Sequence, residues 1–570
     1  MDQTLSNCRK NILSEDYLDV QLEQSAYLNL IKSTYPTACI QTINEQFHIA
    51  YINKNEDLTK SQVLNSYSAI PKLYGLMQTS ALESAGIIKT RTQPLLNLTG
   101  RGVLIGFVDT GIDYRHPAFL DSNGKTRIAA IWDQTIQNGE PPEGFLYGTE
   151  YTEQEINWAL TDPSIVPSTD ENGHGTYLAG VAAGSSIESA SFLGAASDAL
   201  IAMVKLKPAK STLKEYYRIK EDTLAYQEND IMTGVHYLVT LQQRLNLPLV
   251  ICLGLGTNMG GHMGCCFLES YLNLLSNAYR TCVVCAAGNE AGLFHHYRGQ
   301  IQNVSDYKEV EILVGEEEQQ NGFVTELWSD IPQIYAVGFV SPTGDVIDPS
   351  SVATGYSISI RFVLDNSIIE LSNYLISNNG GSQVIRMRFL TPNSGIWKIR
   401  IFNRYQVGGI FDLWLPIRPF ISTDTIFLEP DNEVTITVPA NGSSIITVAA
   451  YNHETNSIYI NSGRGNSRTN TIKPTLAAPG VRILGPLANT LSFSYSTGTS
   501  SATAITAGAI ACIFSWAVTK ERMPFITGTF IHFFLIVGVR TNPELSYPNK
   551  EWGYGTLDLY HTFEELRRFL

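Results

Sequence analysis

The sequence has no apolar stretch at its start. MDQTLSNCRKNILSEDYLDV is polar and has neither the apolar core nor the cleavage pattern of a signal peptide. It also lacks a long hydrophobic run. The longest one near the end, Phe530 to Val539, is interrupted by His532 and falls short of the about 20 apolar residues that a membrane helix needs. These absences set the expectation of cytoplasmic synthesis without export and no membrane span. Positive charge is scarce: 39 Lys and Arg against 54 Asp and Glu leave a net charge of −15, which argues against a nucleic-acid partner. The eight cysteines show no zinc spacing. Cys282-x-x-Cys285 lies in the apolar run TCVVCAAG with no second pair. Cys252, Cys282, Cys285 and Cys512 sit in apolar segments and are expected to be buried, reduced thiols. His295-His296 reads as structural. With no dependable calcium loop, no metal and no cofactor are expected.

What is present is a large α/β pattern. The chain has 570 residues and is 44% hydrophobic, enough for several cores. Residues 1–66 form a small α/β unit, with helical spacing from Leu22 to Ser33 and two short strands between Cys39 and Ile52. SQVLNSYSAIPKLYGLM then reads as a polar, turn-prone linker. From Gly102, apolar strands alternate with helical patterns: Val103–Val108, Leu249–Leu253 and Thr281–Ala287 are continuous runs of the kind buried on both faces of a parallel sheet. Between 305 and 440 the texture changes to short alternating strands. Examples are Ile358/Ile360/Phe362/Leu364, Ile385/Met387/Phe389, Trp397/Ile399/Ile401 and Val434/Ile436/Val438. That pattern predicts an inserted β-sandwich. The α/β pattern resumes at Ser444–Val448. The expected layout is therefore 1–66, then 67–304 and 441–570 as one interrupted domain, with the sandwich at 305–440.

Polar residues punctuate the ends of the α/β elements. Asp109 follows a buried strand in Asp109-Thr110-Gly111-Ile112-Asp113. His174 lies between glycines at a helix start in Asn172-Gly173-His174-Gly175-Thr176. Ser500 opens a small-residue helix in Gly498-Thr499-Ser500-Ser501-Ala502. Ligands of open α/β sheets sit at the carboxyl ends of the strands, so the three are expected to converge. Ser, His and Asp are the groups that nucleophilic acyl transfer needs. Asn289 offers a side-chain amide for an oxyanion, and the Ser500 backbone N–H a second donor.

DTGID, NGHGT, AAGNE and GTSSA, in that order, resemble the Asp, His, Asn and Ser motifs of subtilisin-like serine proteases (peptidase S8). TIKPTLAAPG resembles the stretch before that family's nucleophile. GRGVLIGFVDTGIDYRHPAF, GTNMGGHMG, GNEAGLFHH and SYPNKEWGYGTLDLY resemble the Csp germination proteases of clostridia. The resemblance implies an α/β fold with a parallel-sheet catalytic domain, an N-terminal prodomain and a jelly-roll insert. It implies an autoprocessed serine endopeptidase whose substrate is a spore-cortex hydrolase proenzyme, with the prodomain retained in the cleft and the protein incorporated in the spore. It assigns catalysis to Asp109, His174 and Ser500, the oxyanion site to Asn289, the substrate strand to Leu253, Gly254, Leu255 and Gly256, and a pocket wall to Ala286, Ala287 and Gly288. The prodomain cut is expected near Asn65 to Ser68. Tyr177, Ser501 and Ala504 depart from the family's usual His, Met and Pro. Two alternatives stand beside this reading: a general bacterial subtilase with another protein substrate, or a catalytically silent pseudoprotease acting as a binding module.

Overall fold

The computed structural model describes residues 3–23, 25–57, 66–76, 82, 84–93, 96–303, 306–350, 352–364, 366–377, 381–403 and 407–569. At its centre lies a nine-stranded, mostly parallel sheet. Its parallel strands run in the order Ile446–Asn452, Thr281–Ala286, Leu249–Leu253, Leu104–Asp109, Leu200–Lys205 and Ile128–Asp133. Period-two alternation sorts their side chains between two cores. Ile105, Phe107, Val250, Cys252, Cys282 and Val284 face one core, with the helices His174–Ala183 and Thr499–Phe514. Leu104, Val108, Ile251, Val283 and Cys285 face the other, with Glu228–Leu245 and Phe267–Ser276. Cys282 and Cys285 therefore point to opposite faces of one strand, and their spacing carries no shared site. Burial in the surrounding apolar medium pushes their thiols well up from the ordinary cysteine value.

Thr499–Phe514 is buried at every position. Its Ala, Gly and Thr side chains let it run through the middle of the core, where bulkier residues would not fit. Extended to Thr519, it is the one helix among the described residues that is long and apolar enough to cross a bilayer. It is 94% buried inside the fold.

The N-terminal unit is a helix, Gln3–Leu13, and a three-stranded antiparallel sheet with Phe47–Asn53 between Tyr17–Glu23 and Cys39–Thr42. Cys8 is disulfide-bonded to Cys39, tying helix to sheet. The helical spacing from Leu22 begins too early. Leu22 belongs to the strand and packs inward with Val20, and the helix starts at Ser25. The unit docks on the catalytic helices through Phe47, whose ring centroid lies 6.0 Å from those of Phe267 and Tyr271. Asp19 accepts hydrogen bonds from Gln227 (2.9 Å) and Asn229 (2.8 Å). The stretch expected to be a linker contains a strand, Leu73–Leu76. Asn65, at the near edge of the expected cut, lies outside the described residues.

The insert is a β-sandwich of two antiparallel sheets, six-stranded and five-stranded. Leu327, Ile385, Met387 and Phe389 from one sheet interdigitate with Val310, Ile312, Trp397, Ile399 and Ile401 from the other. Its limits differ from the expected 305–440. The first strand is His296–Ile301 and the last is Ile426–Phe427. Ile436 and Val438 alternate for another reason: they belong to the catalytic core. Entry and exit lie side by side, with Phe427 N–H donating to Phe294 O (3.0 Å) and Asp431 N–H to His296 O (2.9 Å).

Candidate active site

The sheet brings Asp109, His174 and Ser500 together at the carboxyl ends of its strands. Asp109 closes Leu104–Asp109 and is 1% exposed. Its Oδ1 accepts the Thr110 N–H at 2.8 Å and lies 2.8 Å from Nδ1 of His174. A carboxylate accepts only, so the imidazole proton sits on Nδ1 and Nε2 is left as the basic nitrogen. His174 is the first residue of its helix, after Gly173 in the left-handed region (φ +88°). The helix is clamped to the DTG turn. Gly175 N–H donates to Thr110 Oγ1 (2.9 Å), Asp113 N–H to Thr176 Oγ1 (2.9 Å), and Thr176 Oγ1–H to Asp170 (2.6 Å). A Cβ on Gly175 would meet Gly111 O at 2.2 Å, so the second glycine of GHG is there to let two backbones touch.

Ser500 is fully buried, and its hydroxyl donates to Gly254 O at 3.2 Å. A Cβ placed on Gly254 would lie 3.0 Å from His174 Cε1 and 3.3 Å from Ser500 Cβ. The imidazole and the serine thus flank one point beside the expected substrate strand. Asn289 is held by Thr499, whose N–H (3.0 Å) and hydroxyl (3.2 Å) both reach Oδ1.

The strand Leu253-Gly254-Leu255-Gly256 has a neighbour. Leu76 pairs with Leu255 and Gly75 with Gly256, antiparallel. On its other edge the same segment pairs with Tyr226–Gln227, Leu73 opposite Gln227 and Tyr74 opposite Tyr226. The chain's own residues 73–76 therefore lie as the middle strand of a three-stranded ribbon leading toward Ser500. Ala286 ends its strand, and Ala287 and Gly288 continue from it. Ala287 O accepts Thr437 N–H (2.9 Å), and Thr257 and Val438 exchange two hydrogen bonds of 2.9 Å. The segment 435–438 thus joins the two expected walls, a role the sequence did not reveal because these residues read as a sandwich strand. Thr499, which orients Asn289, was also unassigned, although it stands one residue before Ser500.

The three departures have different surroundings. Tyr177 donates from its hydroxyl to Ile483 O (2.9 Å) and stacks beside Gly485, bracing the hairpin Val481–Pro486/Phe493–Thr497. Ser501 Oγ is buried with no hydrogen-bond partner among the described residues. Ala504 is wholly buried in the core. Among the described residues no group of three His, Cys, Asp or Glu side chains is placed to hold a metal.

Comparison with known proteins agrees with this geometry. The solved structure of the Clostridium perfringens CspB protease is 32% identical, with a TM-score of 0.75, and covers 86% of this chain and 98% of its own. Fervidolysin from Fervidobacterium pennivorans shares the fold at 12% identity and a TM-score of 0.50, over 96% of this chain and 61% of its own. The subtilisin-like protease SBT2.3 of Arabidopsis thaliana is 27% identical over 124 residues, 20% of this chain. This chain spans only 14% of the length of that curated relative. The subtilase family model matches residues 100–366 and 425–528, which take in both parts of the interrupted domain and the first strands of the sandwich, and the chain belongs to the subtilase family of peptidases, S8.

Proposed function

We propose that the protein is a serine endopeptidase that processes itself and then activates a spore-cortex hydrolase proenzyme during germination. The observation that carries the peptidase reading is the seating of residues 73–76 between Leu255–Gly256 and Tyr226–Gln227. An extended peptide adds to an exposed strand in this way, through main-chain hydrogen bonds.

In this reading His174 Nε2 takes the Ser500 proton as Oγ attacks the scissile carbonyl, and Asp109 stabilises the imidazolium. The carbonyl oxygen becomes an oxyanion held by Asn289 Nδ2 and the Ser500 N–H. His174 then returns the proton to the leaving amine. Water repeats the sequence on the acyl-enzyme and restores Ser500.

The ribbon also moves the proposed cut. Leu76, the last described residue of the ribbon, pairs with Leu255, one residue past Gly254, whose carbonyl accepts the Ser500 hydroxyl. The scissile bond is therefore proposed at 76–78 rather than at 65–68, with the N-terminal unit as the prodomain, kept on the catalytic helices by Asp19 and Phe47. The proenzyme substrate rests on the likeness to the Csp family alone.

Intact-mass analysis of wild type beside Ser500→Ala tests self-processing. Wild type is expected to lose the residues up to 76–78, and the variant to stay whole. Two whole chains would remove the self-processing reading. The same pair, mixed with a purified cortex-hydrolase proenzyme, tests the substrate: wild type is expected to shorten it and Ser500→Ala to leave it intact.

A further inference from the structure

Glu290 directly follows Asn289 and is buried at 4% exposure, yet no step of the proposed reaction uses it. Its carboxylate is held from three sides. Oε2 accepts from His295 Nδ1 at 2.7 Å and from Asn258 Nδ2 at 3.3 Å, and Oε1 accepts the Arg418 N–H at 3.4 Å. His295 and Asn258 are buried as well. The three donors come from different parts of the chain. Asn258 lies two residues past Gly256, beyond the end of the expected substrate strand. His295 stands one residue before the first sandwich strand, His296–Ile301. Arg418 belongs to the insert, four residues after its strand Gly409–Trp414.

Leu415 of the insert ties two of these donors a second time. Its N–H donates to His295 O at 2.9 Å, and its O accepts from Asn258 Nδ2 at 3.1 Å. The motifs GTNMGGHMG and GNEAGLFHH thus meet at one carboxylate. Asn289 lies between two anchors. Thr499 holds its side-chain oxygen. Glu290 holds the backbone that follows, where Leu293 N–H closes a turn onto Glu290 O at 3.0 Å.

An oxyanion donor acts only where the charge develops, and a displacement of about 1 Å can cost on the order of 100-fold in rate. Such a donor needs support from residues locked by packing and hydrogen bonds of their own. A buried carboxylate with a 2.7 Å bond to His295 is support of that kind. Building on the peptidase reading, we infer that Glu290 is a positioning residue for Asn289, held in place by His295. The insert then has a part in the reaction: through His295, Leu415 and Arg418 it sets the carboxylate that sets the oxyanion donor.

The test is a double-mutant cycle on peptide cleavage, with kcat expressed per Ser500 titrated by an active-site probe. Glu290→Ala is expected to lower kcat at least about tenfold with KM nearly unchanged. Glu290→Gln keeps the shape and an acceptor oxygen, and should lose much less. In an Asn289→Ala enzyme, adding Glu290→Ala should lower kcat by less than about twofold, because its route to the reaction is already gone. His295→Ala should repeat both results from the side of the insert, and it carries the cycle alone if Glu290→Ala does not fold. Equal fold-losses with and without Asn289, or an unchanged kcat on removing Glu290 or His295, would overturn the positioning role and leave the peptidase reading standing. If the unmutated protein cuts no peptide, that reading fails and the positioning role with it.

Discussion

Thr499 holds Asn289 by its side-chain carbonyl: the Thr499 N–H and hydroxyl reach Oδ1 at 3.0 and 3.2 Å. The amide NH2 is thereby turned away from Thr499. Asn289→Ala is expected to lower kcat for peptide cleavage by about 100- to 1000-fold with little change in KM, the loss typical of one oxyanion donor. Asn289→Asp retains an oxygen for Thr499 and should fall as far, because the donor is gone. Steady-state kinetics of the two variants check this. An unchanged kcat in either would remove Asn289 from the reaction.

Asp109 fixes the His174 tautomer through the 2.8 Å contact to Nδ1. Asp109→Asn keeps the shape and replaces the acceptor with a group that can favour the other tautomer. Turnover at neutral pH is expected to drop by about 10,000-fold, while thermal stability changes little. A drop of less than tenfold would argue that His174 is oriented by something else.

Tyr177 bonds the hairpin at Ile483 O. Tyr177→Phe removes that one hydrogen bond and should cost about 0.5–1.5 kcal/mol, read as a lower urea midpoint with an unchanged slope. Cleavage of short peptides should persist, since the ring itself stays.

Lys473, the lysine of TIKPTLAAPG, is wholly buried and donates to Ile445 O (2.8 Å) and Thr447 Oγ1 (2.7 Å). Burial holds its pKa down at about 7, against about 10.4 for a free lysine. Between those values the unfolded chain binds the proton and the folded chain does not, so stability rises as pH increases through that window. It is flat below it. The span is at most about 5 kcal/mol. Unfolding free energies at pH 7 and pH 9.5 should rise more steeply for wild type than for Lys473→Met. Parallel profiles would contradict the depressed pKa.

Arg386 and Glu326 are each 1% exposed and pair at 2.8 Å inside the sandwich. Glu326 also accepts from Gly260 and Trp328. Arg386→Met takes the cation away from a buried carboxylate and is expected to cost about 3–5 kcal/mol. Because Gly260 follows the substrate strand, KM for peptides should rise as well. A loss of stability with unchanged KM would confine the pair to the sandwich.

Much of the catalytic half was legible because its signals are local. A buried strand ending in Asp, a His between glycines and a Ser before small residues each announce a turn or helix start at one place in the chain. The parallel strands were read for the same reason, since both faces are apolar. What stayed hidden depends on distant partners. Lys72 meets Glu228 across 156 positions, and nothing near Lys72 marks it as buried. Leu73–Leu76 is too short to show alternation, so it passed for a linker. Leu22 fitted a helical period by coincidence with Ala26 and Leu30. His296–Ile301, HYRGQI, hides its strand character behind polar residues, which is why the sandwich starts earlier than its apolar rhythm suggests.

The touching ends of the sandwich have a consequence for how such a chain is assembled. Phe294 and Phe427 meet at hydrogen-bond distance, so the rest of the protein sees well over a hundred residues as a loop of almost no span. Closing a long loop costs little more than closing a short one, and a unit with its own core can order itself independently. The sandwich is in this sense a cassette. It enters and leaves the central domain at those two phenylalanines, and contacts such as Glu326 with Gly260 tie its body to the catalytic half.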